Sequence, residues 1–408
     1  MKNYSIIDKC PITGQENPIT YFNLGSIPLV NNLCNTREES IDAERYPLDI
    51  NYYTSSSLSA LSCAVDGELL FEHYLFKTDV NKPYIQHCKN MLETIQHYVS
   101  INNGTSFADI GGNDGTLLHT FKSELNYNIS VINIDPSINL TEISKQRGID
   151  VLVEFFSLDV AKKLNTKLDV ITSTNVFQHL KDINSFANGI EYLLNDDGIW
   201  LLEFPYWIHD TETNQFDQIY HEHMYYHSIT PLNALMQKCG LKIINIAKQN
   251  IHGGTLRLII SKVNSKHIAD STIEIYLQSE KKYNIDYYIN WGKLVQTHIS
   301  NSKLYIDRLK QSGSVIFGFG AAAKGCIYMH AMNIDYNQID YVIDDTDIKQ
   351  GKFIPGTGIE IVSRDILKKK QPDYILILAH NFADHIIESL KHEYQGKFIT
   401  LIPNIKEI

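Results

Sequence analysis

Apolar residues along this chain fall into two rhythms. Short unbroken runs bounded by turn residues, such as Ile199 to Leu202, read as buried strands, and stretches with helical spacing, such as Asp182 to Leu194, separate them. From residue 83 the order is regular. A helix over Pro83 to Ser100 leads to a strand at Phe107 to Ile110, then a glycine turn and a helix, and further strands follow at Ile129 to Ile134, at Leu168 to Ile171 and up to Pro205. Proline cannot continue a ladder, so that last strand stops there. An alternating strand at Leu256 to Ile260 closes the sheet, and residues 270 to 312 show helical periodicity with few breakers. The alternation resumes at Val315 to Phe317, Tyr341 to Ile343, Tyr374 to Leu378 and Phe398 to Leu401. Strands alternating with helices predict an α/β protein whose central, doubly wound and mostly parallel sheet binds ligands at the carboxyl ends of its strands.

The first 75 residues break this rhythm with Pro11, Pro18, Pro28 and Pro47 and many polar positions, which marks a small turn-rich unit. Three units are therefore expected: 1–78, a small α+β domain; 79–265, the central domain; and 266–408, a helical linker with a C-terminal Rossmann-like domain. A chain of 408 residues is too long for one ordinary core.

Composition narrows the function. With 43% hydrophobic and 20% charged residues the chain is globular. No apolar run approaches the ~20 residues of a membrane span, and Met1-Lys2-Asn3-Tyr4 starts no secretory signal, so a cytoplasmic protein without a membrane partner is expected. A net charge of −11 argues against a nucleic-acid surface, which needs a basic stripe. The six cysteines lack paired spacing, as reduced thiols do. Cys10-Pro11-Ile12-Thr13 begins as a metal knuckle but ends in threonine, and no CxxC follows. Nothing in the pattern fixes the oligomeric state.

The segment Asp109-Ile110-Gly111-Gly112-Asn113-Asp114-Gly115 joins a strand to a helix. Its glycines let the backbone turn sharply and approach a ligand, and the next strand ends at Asp135, where an acid can hold two ribose hydroxyls. A purely structural turn is the rival. His179, after the strand at Leu168 to Ile171, is either a core or capping histidine or part of the site.

Beyond Pro205 the chain gathers Phe216, Tyr220, His221, Glu222, His223, Tyr225 and Tyr226. Imidazoles, a carboxylate and phenols are the groups that take a proton and steady the charge left behind. A metal site is disfavoured, because the histidines lack helical i, i+4 spacing and no cysteine lies near. A solvated loop would seldom hold so many aromatics. In the third unit, Gly318 to Gly325 repeats the glycine turn, and Lys349-Gln350-Gly351-Lys352 forms a loop suited to phosphate oxygens. A Rossmann-like unit that binds nothing is the rival there.

Taken together, Asp109 to Leu118, Glu203-Phe204-Pro205-Tyr206, Tyr220-His221-Glu222-His223, His252-Gly253-Gly254, Gly320 to Gly325 and Lys349 to Thr357 give the chain a resemblance. It resembles the S-adenosylmethionine-dependent sugar C-methyltransferases that act on nucleotide-diphosphate-linked 4-keto-deoxysugars. The resemblance implies His223 as catalytic base, with Tyr220, Glu222, His179 and Tyr74 beside it. It implies a cofactor site of Asp109, Gly111, Gly112, Asn113, Gly115, Asp135, Phe155, Phe156 and Asn175. The substrate is expected at Tyr206, His252, Arg257, Lys324, Lys349 and Lys352, the basic residues facing its diphosphate.

The family carries four zinc cysteines in its first domain, whereas here Cys10, Thr13, Tyr53 and Ser56 occupy the four places, so no zinc is expected. The chemistry is consistent in itself. Carbon becomes nucleophilic when a base removes a proton from a C–H beside a ketone, and an imidazole with a pKa near ~6.5 does this at neutral pH. The rivals are an O- or N-methyltransferase using the same cofactor, and a nucleotide-sugar binding protein without activity.

Overall fold

The computed structural model describes residues 3–71, 82–249 and 254–408. At the N-terminus β1 (Tyr4–Ile6), β2 (Ile19–Pro28), β3 (Arg45–Tyr53), β4 (Leu58–Leu61) and β5 (Cys63–Val65) are joined by α1 (Arg37–Ile41) and end at α2 (Gly67–Phe71). β2, β3 and β4 pair antiparallel, and β1 pairs with β5. In β3 burial alternates from Arg45 to Ile50, the period-2 pattern of a strand with one face on a core, and Ile50 to Tyr53 are buried on both faces. The four positions that zinc cysteines hold in the family make ordinary polar contacts here. Cys10 Sγ lies 3.1 Å from Ser56 Oγ, Thr13 Oγ1 lies 2.5 Å from Ser55 Oγ, and the Tyr53 hydroxyl donates to the Ile7 carbonyl. Lys238 donates to the Pro11 and Ile12 carbonyls, so an ammonium from outside the sheet holds that turn. Among the described residues no cluster of three or more His, Cys, Asp or Glu is arranged to hold a metal.

The central sheet contains β6 (Ser106–Ile110), β7 (Ser130–Ile134), β8 (Asp150–Leu152), β9 (Leu168–Thr174) and β10 (Leu194–Pro205). A two-residue strand, β11 (Tyr225–Tyr226), leaves it before β12 (Leu241–Gln249) and β13 (Thr255–Lys262) complete it. The order is β12-β13-β10-β9-β6-β7-β8, parallel from β10 to β8, with β13 antiparallel to both its neighbours. The unbroken apolar run in β10 is explained by burial on both faces. Trp200, Leu202 and Phe204 enter one core, and Ile199 and Leu201 enter the other. Helices α3 (Lys82–Gln96), α4 (Thr116–Glu124), α5 (Ile138–Gln146), α6 (Leu158–Leu164), α7 (Ile183–Leu193), α8 (Trp207–Glu212) and α9 (Ile229–Lys238) connect the strands. Asp182 caps α7 by accepting from Ser185 N, which sets the start of the helix expected there.

β11 pairs with β4, so the segment after Pro205 adds an edge to the N-terminal sheet instead of the central one. Next come α10 (Thr272–Glu280) and the 27-residue α11 (Ile285–Gln311). β14 (Ile316–Phe319), α12 (Ala323–Ala331), β15 (Tyr341–Ile343), β16 (Glu360–Val362), β17 (Tyr374–Ile377), α13 (Ala383–Leu390), β18 (Lys397–Thr400) and β19 (Lys406–Glu407) follow. The last sheet runs β16-β15-β14-β17-β18-β19 and is parallel except for β19. Residues 270 to 312 are thus helical as expected, but α11 does more than link. Trp291 packs at a tilt against Phe22, ring centroids 5.2 Å apart, and a Cβ on Gly292 would sit 2.6 Å from the Tyr21 carbonyl. Glycine there lets the helix backbone lie directly on β2. No helix among the described residues is long and apolar enough to cross a membrane.

Candidate active site

The strand order reverses between β6 and β9, the position where open parallel sheets form a ligand crevice. The turn after β6 and the turn after β9 meet there. Gly111 has φ of +71° and lies so close to Val176 that a Cβ would be 2.2 Å from Val176 Cγ2. Beside it, a Cβ on Gly112 would fill the space in front of Asn133 Oδ1, at 2.4 Å, and Asp109 Oδ2, at 2.7 Å. Asn133 Oδ1 is buried without a hydrogen-bond partner among the described residues. Burial pushes the Asp109 carboxyl up to about 7, although Thr172 donates to it. Asp135 accepts from Asn113 N at 2.9 Å and from Ser137 N at 2.8 Å, so each carboxylate oxygen keeps a lone pair. Asn175 sits at φ of +55° with its N–H on the Glu203 carbonyl. Acceptors of this kind suit a nucleoside with a cationic tail. Phe155 is 58% exposed and keeps a free face, whereas Phe156 packs edge-on to Phe186 at 5.1 Å and is spent on the interior.

Past α8, the 3₁₀ turn Phe216–Gln218 leads into the histidine segment. His223 is buried, and its Nδ1–H donates to the Gln218 carbonyl at 3.0 Å. Its Nε2 is therefore the acceptor, and the Tyr220 hydroxyl donates to it at 2.7 Å. Burial holds His223 well below the usual histidine range, helped by neighbouring His179 and Lys324. The His179 ring lies 4.9 Å from that of His223. Its Nδ1–H donates to the Glu222 carbonyl at 2.7 Å, and burial lowers it to about 4. His179 is thus a neutral ring whose N–H is already used. The Glu222 carboxyl accepts from Asn31 and is raised to about 7 by burial. Gln218, rather than Glu222, fixes the His223 tautomer. His221 turns the other way, donating Nε2–H to the Tyr46 and Pro47 carbonyls of β3.

Several expected substrate contacts are corrected. Arg257 is 2% exposed and donates through Nε to Glu203 Oε1 at 2.7 Å and through Nη1 to Asn90 O and Thr94 Oγ1, with Nη2 buried and unpartnered. Strand pairing sets Glu203 opposite Arg257, and His87 takes the other carboxylate oxygen at 2.7 Å. Burial alone would raise Glu203, but His87 and Arg257 hold it below the usual carboxylate range. A guanidinium so committed does not reach a diphosphate. The Tyr206 hydroxyl donates to Glu280 at 2.9 Å, so it is tied to α10 instead of facing a substrate. Lys349 donates to the Ala321 carbonyl and Asp344, which closes the glycine turn of the third unit. Lys352 stays partly exposed, 3.4 Å from Asn35 Oδ1. Tyr74 and His252 lie outside the described residues. A cavity of about 310 Å³ bounded by Tyr52, Ile208, Thr230, Glu280 and Tyr288 touches none of the expected site residues.

Asn31 and Gln218 were missed. Asn31 meets Glu222 from 191 positions away, and Gln218 acts through its main-chain carbonyl, which every residue has. Asp210 and Asp217 are nearly fully buried carboxyls.

A crevice at the strand-order reversal, floored by Asp109 and Asp135, defines a nucleoside-binding α/β protein, with the histidine segment following the same sheet's β10. The family models agree: residues 85–246 match a methyltransferase domain, and residues 250–403 match the C-methyltransferase C-terminal domain. C-methyltransferase NovU of Streptomyces niveus is 27% identical over 98% of this chain and 97% of its own length. Among solved structures, the magnesium protoporphyrin IX methyltransferase of Synechocystis with bound SAH is 13% identical and covers 46% of this chain and 90% of its own, at a TM-score of 0.36. An S-adenosylmethionine-dependent methyltransferase of Clostridium acetobutylicum is 9% identical and covers 47% and 94%, at 0.35. The chain therefore joins a methyltransferase domain to a C-methyltransferase C-terminal domain and is an S-adenosylmethionine-dependent C-methyltransferase.

Proposed function

We propose that this enzyme methylates the carbon beside the ketone of a nucleotide-diphosphate-linked 4-keto-deoxysugar, with the Tyr220–His223 pair as the base. The supporting observation is the tautomer: Nδ1–H rests on the Gln218 carbonyl, and Nε2 is the lone-pair end, shared with the Tyr220 hydroxyl. The cofactor fits the crevice, where Asp109, Asn133 and the turn Gly111 to Gly115 would hold its methionine end and Asp135 its ribose. S-adenosylmethionine supplies an electrophilic methyl group when bound.

The residues of the chain do the rest. His223, kept neutral by burial, takes the proton from carbon. The Tyr220 hydroxyl hydrogen turns off Nε2 toward the ketone oxygen as the proton arrives, so that the freed Nε2 lone pair receives the proton while the phenol donates to the forming enolate oxygen. The N-terminal sheet confines the site: Asn31 fixes Glu222, and the β3 carbonyls at Tyr46 and Pro47 fix His221. The division into units 1–78, 79–265 and 266–408 belongs to this reading, the last unit closing over the sugar nucleotide.

The test is to incubate the enzyme with a 4-keto-deoxysugar nucleotide in heavy water without methyl donor. Deuterium should appear at the carbon next to the ketone, and His223→Ala should abolish it. Methyl transfer to oxygen or nitrogen without any such exchange would establish the heteroatom alternative.

A further inference from the structure

The proposed reaction needs a positive partner for the ketone oxygen as it gains charge, and the neutral histidines do not supply one. His179 has its N–H on the Glu222 carbonyl, and the Tyr220 hydroxyl, shared with His223 Nε2, is an uncharged donor. Lys324 lies on the first turn of α12. Tyr328, one turn later on the same face, has its ring 5.0 Å from that of Phe216. That face of α12 is therefore the one laid against the turn Phe216–Gln218, whose Gln218 carbonyl holds His223. Among the described residues the Lys324 Nζ is buried with no hydrogen-bond or ion-pair partner. An ammonium out of water and unpaired is strongly attracted to any negative charge that forms nearby.

We infer that Lys324 is a catalytic residue that meets the ketone oxygen during proton removal, and not an anchor for the diphosphate. This rests on the carbon-acid reading above. In the step, the C–H electron pair forms the new C=C bond, the ketone π pair moves onto oxygen, and the proton goes to His223. Lys324 keeps its three hydrogens and donates one hydrogen bond to the oxyanion.

The surroundings favour one transient charge over a dianion. Asp210 Oδ1 and Asp217 Oδ1 are buried and unpartnered at the same interface, and the other Asp217 oxygen is 3.1 Å from His380 Nδ1. A negative charge on Asp217 would oppose a diphosphate. Burial raises Asp210 to about 8, which leaves the Lys324 charge uncancelled at neutral pH. Of the other lysines proposed for phosphate, Lys349 is paired with Asp344, and Lys352 sits near Asn35 in a partly exposed position.

Lys324→Met and Lys324→Gln are compared with wild type in the heavy-water exchange, with nucleoside diphosphate affinity measured by calorimetry on the same proteins. Cofactor binding by either variant certifies its fold. Exchange at saturating substrate should fall about 100-fold in each, with the diphosphate affinity unchanged within about twofold. Asp210→Asn should keep exchange within a few-fold of wild type. Unchanged exchange in the lysine variants overturns the inference, as does a tenfold loss of diphosphate affinity with exchange at saturation intact. So does an Asp210→Asn enzyme as slow as Lys324→Met, since Lys324 would then act only by holding Asp210. If wild type itself shows no exchange, the carbon-acid reading fails, and the role of Lys324 fails with it.

Discussion

His223 sits in the interior as a neutral ring, and its two nitrogens have different duties. The Gln218 carbonyl takes the proton of Nδ1, and Tyr220 donates to Nε2. Burial, His179 and Lys324 all disfavour the imidazolium, so the base form persists well below the ordinary histidine pKa of ~6.5. The acid limb of kcat/KM should accordingly lie below pH 6.5. A hydrogen bond donated to Nε2 favours neutral imidazole, so Tyr220→Phe should move that limb upward. The same change should lower kcat about 10- to 100-fold through loss of the phenol at the oxyanion. A limb that stays in place in Tyr220→Phe counts against the pairing. That an imidazole at position 223 could serve as base was legible from its residue type and its place beyond a strand end. Its depressed pKa was not, because desolvation comes from residues remote in sequence.

At the scale of elements, the pairing of β10 with β13 explains the stretch Glu203 to Tyr206. Side chains opposite one another on antiparallel strands meet directly, so Glu203 meets Arg257, and His87 of α3 completes a buried trio. Glu203 also gives its carbonyl to Asn175 N, which couples the trio to the turn facing the crevice. Glu203→Gln leaves Arg257 charged and unmatched inside the protein and should destabilise by about 3–5 kcal/mol, read by urea unfolding. Loss of less than about 1 kcal/mol would mean that water already reaches the pair. The strands themselves were legible, since a run such as Ile199 to Leu202 has one plausible home, a sheet buried on both faces. β11 was not legible, because two residues, Tyr225 and Tyr226, have no period to read and pair only through β4.

Across the whole molecule, α11 holds the N-terminal sheet in place over the histidine segment. Trp291 packs on Tyr21 and Phe22, Gly292 admits the Tyr21 carbonyl, and Gln296 donates to the Asn23 carbonyl. Alanine normally favours a helix interior by ~1 kcal/mol over glycine. Gly292→Ala should do the opposite here and cost about 1–3 kcal/mol, because its Cβ would meet backbone at 2.6 Å. It should also lower kcat by loosening the Asn31–Glu222 contact, as a denaturation curve and steady-state rates together would record. A stabilised Gly292→Ala protein would remove α11 from this role.

The sequence alone determined the alternation of strands and helices, the glycine turn with Asp109 and Asp135, and the gathering of Tyr220 to His223, since each depends on residues near one another in the chain. Tertiary structure decided which charges were free to act. Arg257 and Lys349 have the same side-chain chemistry as any phosphate-binding cation, yet Glu203 and Asp344 claim them, while Lys324 is unpaired among the described residues on the helix face laid against the turn before the histidine segment. The physical reason is that a side chain's availability depends on partners brought from far along the chain and on the water excluded around it, and local pattern records neither.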